Sequence, residues 1–332
     1  MKILKLIDNP SLMIVKTPQQ YPWQFDKPFN DFSYAIKKKY GSRMQKISID
    51  AGFTCPNRDG TKSNTGCTFC NNTFKPFYCS PEKSVREQID QGIGFFEKKY
   101  PNAGFLAFFQ DYSNTYAPIE ILEEVYSHAV LHPKVDGLVI STRPDCVSED
   151  TFELLRQINT QKMVWIEFGV ESTLDKTLTR INRHHSFEEV KKSMELAHDS
   201  GLNIGAHLML GLPGETREDF LNHATKINAL PINRLKIHQL QVLKNTQMAI
   251  EFRDQPGDFI HWSLEEYMEV IIGFLERLRP DIEVERFLSH SPKVSIIYPK
   301  WGTKNDQFTR AAIENMLERG AYQGKNYENM DH

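Results

Sequence analysis

Short runs rich in β-branched and aromatic residues alternate with longer amphipathic stretches from about residue 46 to residue 240. Strands that alternate with helices at this spacing form βαβ units, whose right-handed crossovers build a parallel sheet. The pattern predicts an α/β fold, either an open barrel or a doubly wound sheet, in which ligands bind at the carboxyl ends of the strands. The predicted strands are 46–51, 104–109, 137–141, 163–168, 203–210 and 234–240, and the predicted helices between them are 82–99, 119–131, 149–159, 187–200 and 217–230.

The two ends of the chain depart from this alternation. Four prolines make the first 33 residues irregular, and after residue 241 we predict helices at 264–278 and 308–319 and a strand at 283–287. The first 47 residues contain nine Lys or Arg against three Asp, a charge of +6 within a chain of net charge −3. A basic arm on an acidic body is suited to contact a polyanion, and an ordinary solvated face is the alternative.

The sequence shows no apolar run close to the ~20 residues that span a bilayer. Asp8 and Pro10 interrupt the N-terminal Ile/Leu cluster, which argues against a secretory signal. We therefore expect a cytoplasmic protein with no membrane partner. In that compartment, four of the five cysteines falling between residues 55 and 79 indicate metal ligands rather than disulfides.

Cys55, Cys67 and Cys70 follow the first predicted strand with the spacing C-x11-C-x2-C. Thiolates suit both zinc and iron–sulfur clusters. A structural zinc site would recruit Cys79 as a fourth ligand, but such sites usually show two CxxC or CxxH pairs, and here there is one. Three clustered cysteines with a lone fourth favour a 4Fe–4S cluster with one open iron. Free buried thiols are the third interpretation.

The string 55–61, followed by Cys67-Thr68-Phe69-Cys70, resembles the cluster loop of the radical S-adenosylmethionine (radical SAM) superfamily. The first gap has eleven residues in place of the usual three, which is similar to the Elongator-like branch and, within it, the bacterial YhcC/YtqA family. The resemblance continues through strings at the ends of later strands and near the end of the chain, at 109–118, 141–146, 167–172, 180–185, 207–215, 236–238 and 320–325.

The resemblance implies a partial (β/α)6 barrel of the radical SAM type with N-terminal and C-terminal extensions. Its divisions are a basic extension at 1–45, the barrel at 46–241, and an α+β extension at 242–332 that completes the barrel. Cys55, Cys67 and Cys70 would hold a 4Fe–4S cluster whose fourth iron binds S-adenosylmethionine (SAM). Reduction, by a partner such as flavodoxin or ferredoxin, would yield a 5′-deoxyadenosyl radical that abstracts a substrate hydrogen, at a cluster potential near the low end of the biological range, about −700 mV.

The resemblance also assigns side chains to SAM. Glu171 would accept from the ribose hydroxyls, and Arg183 would pair with the carboxylate. The alternatives are an acid near a helix N-terminus for Glu171 and a surface salt bridge for Arg183. Four residues after the second strand stand where the superfamily has Gly-Gly-Glu, and they are expected at the SAM amino group: Gln110, Ser113, Asn114 and Thr115. Phe69, together with His207 and Met209 on the adenine-binding fifth strand, completes the predicted cofactor site, although that stretch alone indicates only a buried strand.

Lys236 and His238 alternate on the sixth strand and therefore share one face. If this face points into the barrel, both reach the substrate, and a polar strand end is the alternative. Cys79 and Cys146 are interpreted as hydrogen donors or as inert buried thiols.

The resemblance implies a tRNA substrate, since Elongator-like relatives act on C5 of the wobble uridine, and its sharpest form is conversion of a carboxymethylaminomethyl group to aminomethyl. The aromatic residues of the basic segment, including Tyr21, Trp23 and Tyr34, suit base stacking or packing against the barrel. The alternative functions are a radical SAM enzyme acting on a small metabolite and a zinc-stabilised nucleic-acid binding module.

Overall fold

Seven parallel strands form one sheet in the computed structural model, which describes residues 21–71 and 75–327. The sheet order is β1-β2-β3-β4-β5-β6-β8, and β7 and β9 form a separate antiparallel pair. The strands are β1 (Met44–Ile49), β2 (Gly104–Phe109), β3 (Gly137–Thr142), β4 (Met163–Glu171), β5 (Asn203–Leu210), β6 (Arg234–Gln239), β7 (Val242–Leu243), β8 (Glu283–Arg286) and β9 (Ile296–Tyr298). The six predicted strands are present, and the predicted partial barrel is confirmed.

The described residues fold into ten α-helices, and four of them, α2, α3, α4 and α6, contact strands β1, β3, β4 and β5 in turn. The helices are α1 (Phe32–Tyr40), α2 (Val85–Glu97), α3 (Ile119–Val130), α4 (Glu149–Asn159), α5 (Asp175–Arg180), α6 (Phe187–Asp199), α7 (Arg217–Asn228), α8 (Gln247–Asp254), α9 (Leu264–Arg277) and α10 (Asn305–Arg319). Helix α2 begins three residues after its predicted start because Ser84 caps it: the Ser84 hydroxyl accepts from the Glu87 N–H, and the Glu87 carboxylate accepts from the Ser84 N–H.

Side-chain alternation along β2 divides the apolar interior into two parts. Phe105, Ala107 and Phe109 belong to the large core between the sheet and its helices. Leu106 and Phe108 point the other way and pack with Val139 and Trp165 as the apolar floor of the barrel. Polar chemistry is therefore confined to the inner face above this floor and to the carboxyl ends of the strands.

The sheet is curled strongly enough for its two edge strands to meet across the interior. The Lys46 ammonium on β1 lies 2.9 Å from both carboxylate oxygens of Glu285 on β8. In a flat sheet, with strands about 4.8 Å apart, these edges would be about 29 Å apart. β8, which comes from the C-terminal segment, pairs with β6 and extends the six-stranded barrel by one strand.

The N-terminal and C-terminal segments pack on each other beside β8. The Asn30 N–H donates to Gln323 Oε1, and the Gln323 N–H donates to the Pro28 carbonyl. Tyr21 stacks on Trp23 at 5.0 Å, and both rings are buried, so these two aromatic residues pack rather than face solvent. Tyr34 stays 46% exposed. Lys2, Lys5 and Lys16 of the predicted basic segment lie outside the described residues.

No helix within the described ranges has the length and apolarity needed to cross a membrane.

The contact between α2 and β1 predicts opposite effects for two glycines of one helix. A Cβ at Gly92 would lie 2.3 Å from Ile47 Cγ2, whereas a Cβ at Gly94 meets nothing within 4 Å. We expect Gly92→Ala to lower the free energy of unfolding by about 1–3 kcal/mol through overpacking. Gly94→Ala is the matched control and should raise it by about 0.5–1 kcal/mol, because alanine favours the helix. Urea unfolding of both variants checks this, and equal effects would contradict the packing of α2 on β1.

Candidate active site

The loop that carries three of the cysteines is fastened to the segment that follows β4. The Thr68 N–H donates to the Ile181 carbonyl at 3.1 Å, and Asn57 Nδ2 donates to the Asn182 carbonyl at 2.7 Å. Asn182, with φ of +60°, returns a bond from Nδ2 to the Gly66 carbonyl. The loop is thus held at the carboxyl ends of β1 and β4, where the sequence placed it.

The sulfur of Cys67 accepts hydrogen bonds from two neighbouring side chains. Its sulfur accepts from Asn57 Nδ2 at 3.5 Å and from Arg183 Nη1 at 3.6 Å. Burial, together with the neighbouring sulfurs of Cys67 and Cys55, raises the pKa of Cys70 to about 11 against the opposing charges of Arg58 and Arg183. The three sulfurs therefore lie close enough to act on one another's charge, and a bound cationic group would favour their thiolate forms.

The surroundings of Cys79 separate it from that trio. Burial raises the pKa of Cys79 to about 12, and the charges next to it are Asp111, Asp50 and Lys75. Lys75 bridges the two aspartates. Within residues 21–71 and 75–327, no set of three or more His, Cys, Asp or Glu side chains is grouped as a single metal ion would need. Cys79 thus has Asp111, Asp50 and Lys75 as its charged neighbours, whereas Cys70 has Cys67 and Cys55.

The residues after β2 that were predicted to bind SAM differ in their surroundings. Gln110 is exposed. The Ser113 N–H donates to the Thr54 carbonyl of the cysteine loop, and Thr115 is buried against Thr142, with their hydroxyls 2.6 Å apart. Asn114 Nδ2 donates to the Ser141 carbonyl at 2.9 Å, while its buried Oδ1 has no partner. Asn114 Oδ1 is thus an acceptor that a bound ammonium group would satisfy.

Glu171 and Arg183 lie together next to the cysteine loop. Arg183 Nη2 donates to the Gly169 carbonyl at 2.6 Å and lies 3.8 Å from Glu171 Oε1. Burial raises the pKa of Glu171, and Arg183 opposes that rise. Arg183 is only 7% exposed, so it is not a surface salt bridge. Glu171 ends β4 with φ of +64°, four residues before α5 begins, so it is not an acid of that helix's first turn.

A buried charge cluster lies on the inner face of the barrel above the floor. Its centre is Glu167, 1% exposed, whose Oε1 lies 2.8 Å from Lys46 Nζ and whose Oε2 lies 2.8 Å from Lys236 Nζ. Lys236 was predicted as a site residue, whereas Lys46 and Glu167 were not. The signal available in the sequence is a charged residue inside a strand buried on both faces, which must be paired. The members of the charge cluster are Lys46, Glu167, His207, Arg234, Lys236 and Glu285.

Lys236 and His238 lie on one face of β6, and the structure also brings His207 of β5 to them. His207 Nε2 lies 2.9 Å from Glu167 Oε2 and 3.2 Å from Lys236 Nζ, and its ring centre lies 5.3 Å from that of His238. Burial lowers the pKa of Lys236 to about 8, against the opposite pull of Glu167 and Glu285. Burial and Lys236 lower the pKa of His207 to about 4, and burial with Arg286 holds that of His238 well below its usual value. Both imidazoles are therefore neutral at pH 7.

The other predicted cofactor residues lie beside this group. Phe69 and Met209 are half-buried and pack against one apolar cluster that includes Ile181 and Leu240. The side chain of His207 contacts Glu167 and Lys236 of the charge cluster. Cys146 is buried near Cys55, and burial raises its pKa to about 12.

An open cavity of about 380 Å³ adjoins His238 at the carboxyl ends of β6 and β8. Ser289 lines it, and the Ser289 hydroxyl lies 3.1 Å from His238 Nδ1. The wall also carries Trp301 and three exposed lysines, Lys293, Lys300 and Lys304. Cationic and aromatic side chains thus line a cavity whose Ser289 contacts His238.

Comparisons with known proteins agree with this geometry. The family described as Radical SAM superfamily matches residues 59–227, and the Radical_SAM C-terminal domain matches residues 232–319. Protein YhcC of Escherichia coli is 31% identical over 279 residues, which cover 84% of this chain and 89% of YhcC. The tRNA uridine(34) acetyltransferase of Methanocaldococcus infernus is 31% identical over 139 residues, 41% of this chain and 25% of that protein. The solved structure of the archaeal M. infernus Elp3 with N-terminus deletion (1-46) has the same fold, with a TM-score of 0.65 at 19% identity over 85% of this chain and 64% of that one.

The low pKa of His207 predicts a specific loss of stability in acid. Its pKa is about 4 in the folded protein against an ordinary value of 6.5, so the unfolded chain binds the proton more tightly. Stability from this residue is complete above pH 6.5 and is lost as the pH falls from 6.5 to 4, by on the order of 2–3 kcal/mol. We expect the free energy of unfolding of His207→Gln, measured with urea, to fall correspondingly less than that of the parent between pH 7 and pH 4.5. His198→Gln, on the exposed face of α6, should behave like the parent; equal pH dependence of parent and His207→Gln would contradict the assignment.

Proposed function

The chain belongs to the radical SAM superfamily and, within it, to the Elongator-like YhcC/YtqA family, and from that membership we propose its function. It is an enzyme that modifies the C5 side chain of wobble uridine in tRNA, and the sharpest form of the proposal is conversion of carboxymethylaminomethyl to aminomethyl. The observation that carries it is the three-cysteine loop held against Arg183 at the strand ends, directly above a polar barrel interior.

The radical SAM fold implies a 4Fe–4S cluster and SAM, and the side chains present fit them. When bound, these groups supply a 5′-deoxyadenosyl radical that removes a hydrogen atom from the substrate. We assign Cys55, Cys67 and Cys70 as the cluster ligands, with Asn57 and Arg183 stabilising the charge on the Cys67 sulfur by hydrogen bonds. The unpartnered Asn114 Oδ1 suits the SAM ammonium group, and Glu171 suits the ribose hydroxyls.

The substrate side chain and the barrel interior are matched in chemistry. With SAM as the two-electron oxidant, oxidation of the glycine-like carbon would give an imine, and water would split the imine into the aminomethyl group and a two-carbon 2-oxo acid. Imine hydrolysis needs one group to accept a proton from water and another to return one to the amine. We assign these tasks to the neutral His238 and to Lys236, whose pKa of about 8 lies near the working pH.

A tRNA partner is supported by two features. Lys293, Lys300, Lys304 and Trp301 line the cavity beside His238, and such a surface suits a phosphate backbone and an unstacked base. A relative that matches 41% of the chain carries the name tRNA uridine(34) acetyltransferase. The proposal includes a cytoplasmic location and a reductase such as flavodoxin or ferredoxin. A zinc-stabilised binding module is not retained, because the superfamily is one of enzymes.

Serine substitutions test the cluster assignment. We expect Cys55→Ser, Cys67→Ser and Cys70→Ser each to lose most of the bound iron and acid-labile sulfide after anaerobic purification, because three thiolates are the minimum that holds the cluster with one iron open. Cys79→Ser is the matched control and should keep the parent's content, since Cys79 lies against Asp50, Asp111 and Lys75. Loss of metal from the Cys79 variant to the same degree would point to four-cysteine ligation.

Nucleoside mass spectrometry of total tRNA tests the substrate. Cells that lack the gene should lose the aminomethyl-type wobble uridine and accumulate its carboxymethylaminomethyl precursor. A plasmid copy carrying Cys79→Ser should restore the parent profile, and one carrying Cys67→Ser should not. An unchanged tRNA profile would overturn the tRNA proposal and direct the search to metabolites, while the superfamily membership would stand.

A further inference from the structure

Arg286, the half-buried last residue of β8, is a cation that Glu285 and Glu167 favour only from beyond ion-pair distance. Its buried Nε has no hydrogen-bond partner, and its Nη2 lies 3.1 Å and 3.3 Å from the two ring nitrogens of His238. No carboxylate of the described residues lies within ion-pair distance of its guanidinium. Its neighbour is thus a neutral imidazole, although burying a guanidinium without an anion is strongly unfavourable.

The nearby carboxylates are occupied by other cations. Glu167 contacts Lys46, Lys236 and Arg234 at 2.8, 2.8 and 3.3 Å. Glu285 contacts the same three cations at 2.9, 3.7 and 3.5 Å. With Arg286, four cations face two carboxylates.

A third carboxylate does not restore the balance. Glu283 lies beside Arg234 at the far end of β8, and burial raises its pKa, which favours its neutral form. Even with Glu283 counted as an anion, one positive charge remains. Arg286 is linked to the cavity through its neighbours, because it contacts His238 and His238 contacts Ser289, which lines the cavity.

We propose that Arg286, with His238 and Ser289, forms a subsite that binds a carboxylate of the substrate. This inference rests on the proposed function, in which the carboxylate is bonded directly to the carbon that loses hydrogen. A guanidinium binds a carboxylate through two parallel hydrogen bonds, so the subsite would fix the position of the carbon that loses hydrogen. It also gives selectivity, since an aminomethyl product has no carboxylate and leaves the guanidinium unpaired.

Binding of three anticodon stem-loop RNAs tests the subsite. They carry carboxymethylaminomethyluridine, aminomethyluridine or unmodified uridine at the wobble position and are otherwise identical. The reconstituted enzyme with SAM, at fixed salt, should bind the first at least ~10-fold more tightly than the second. Arg286→Gln should abolish this preference and leave affinity for the aminomethyl RNA within about twofold. Arg286→Lys should keep part of it, and Arg310→Gln, an exposed arginine of α10, should keep all of it.

The other possible outcomes of these binding measurements show which group supplies the anion that Arg286 binds. Retention of the preference in Arg286→Gln overturns the proposal. Equal weakening of all three RNAs means that Arg286 binds a backbone phosphate, which all three share, and overturns it as well. A raised dissociation constant for SAM, with the RNA preference intact, assigns Arg286 to the SAM carboxylate and overturns the substrate subsite.

A small ligand separates failure of the subsite from failure of the proposed function. If the parent binds no RNA and cellular tRNA is unchanged, the proposed function has failed. The subsite is then tested by the melting temperature of the protein. The temperature in N-methylglycine, which carries the carboxylate, is compared with that in methylamine, which does not. The parent should be stabilised by N-methylglycine alone, and Arg286→Gln by neither; an equal response of parent and variant overturns the subsite. The variant should fold, because the charge it removes has no carboxylate of the described residues within ion-pair distance.

Discussion

The ionised carboxylate of Glu167 is the interaction on which the rest of the molecule depends. It gathers Lys46 from β1, His207 from β5, and Arg234 and Lys236 from β6 around one point. Four strands lie between β1 and β6 in the sheet, a span of about 24 Å if the sheet were flat. Only a curled sheet brings both lysines to 2.8 Å from one carboxylate, and removal of a carboxylate from a buried network of this kind costs about 3–5 kcal/mol. The charge cluster therefore both requires and stabilises the barrel.

Curvature in turn determines where the chemistry lies. The curled sheet brings the carboxyl ends of β1, β2 and β4 together, so the cysteine loop can bond to the segment after β4 through Asn57 and Thr68. The same loop is bonded from the C-terminal side, because the Met248 N–H of α8 donates to the Thr68 carbonyl at 2.9 Å. Three thiols on a loop without helix or strand are thereby held by backbone contacts on both sides. Arg183 links this loop to Gly169 and Glu171 at the end of β4.

The sequence was sufficient for the parts of the fold that local pattern decides. All six strands of the barrel and the positions of the cysteines followed from periodicity and spacing. Helix α1 was missed because four prolines marked its surroundings as irregular, although Asp31 caps it. The string Ser84-x-x-Glu87 is a capping box that marks the start of α2, but the predicted helix began before it. The strand 283–287 was predicted, but its place beside β6 depends on packing between segments far apart in the chain. For the same reason Glu167, Glu285 and Arg286 were not assigned roles, since a buried charge acquires its role from partners on other strands.

The uneven charge of the interior explains how one cluster serves both stability and substrate selection. Lys46, Arg234 and Lys236 each contact both Glu167 and Glu285, although Arg234 Nε and Nη2 have no hydrogen-bond partner. His207 within the charge cluster and His238 beside it are neutral, so they add hydrogen-bonding groups without further charge. Arg286 alone lacks an anion, and its desolvation is an unfavourable contribution that the free protein carries. Binding of an anion removes that contribution, so part of the binding free energy is stored in the fold before substrate arrives. Arg286 therefore lowers the stability of the free protein and increases selectivity for the substrate, as expected when a group is kept for function rather than for folding.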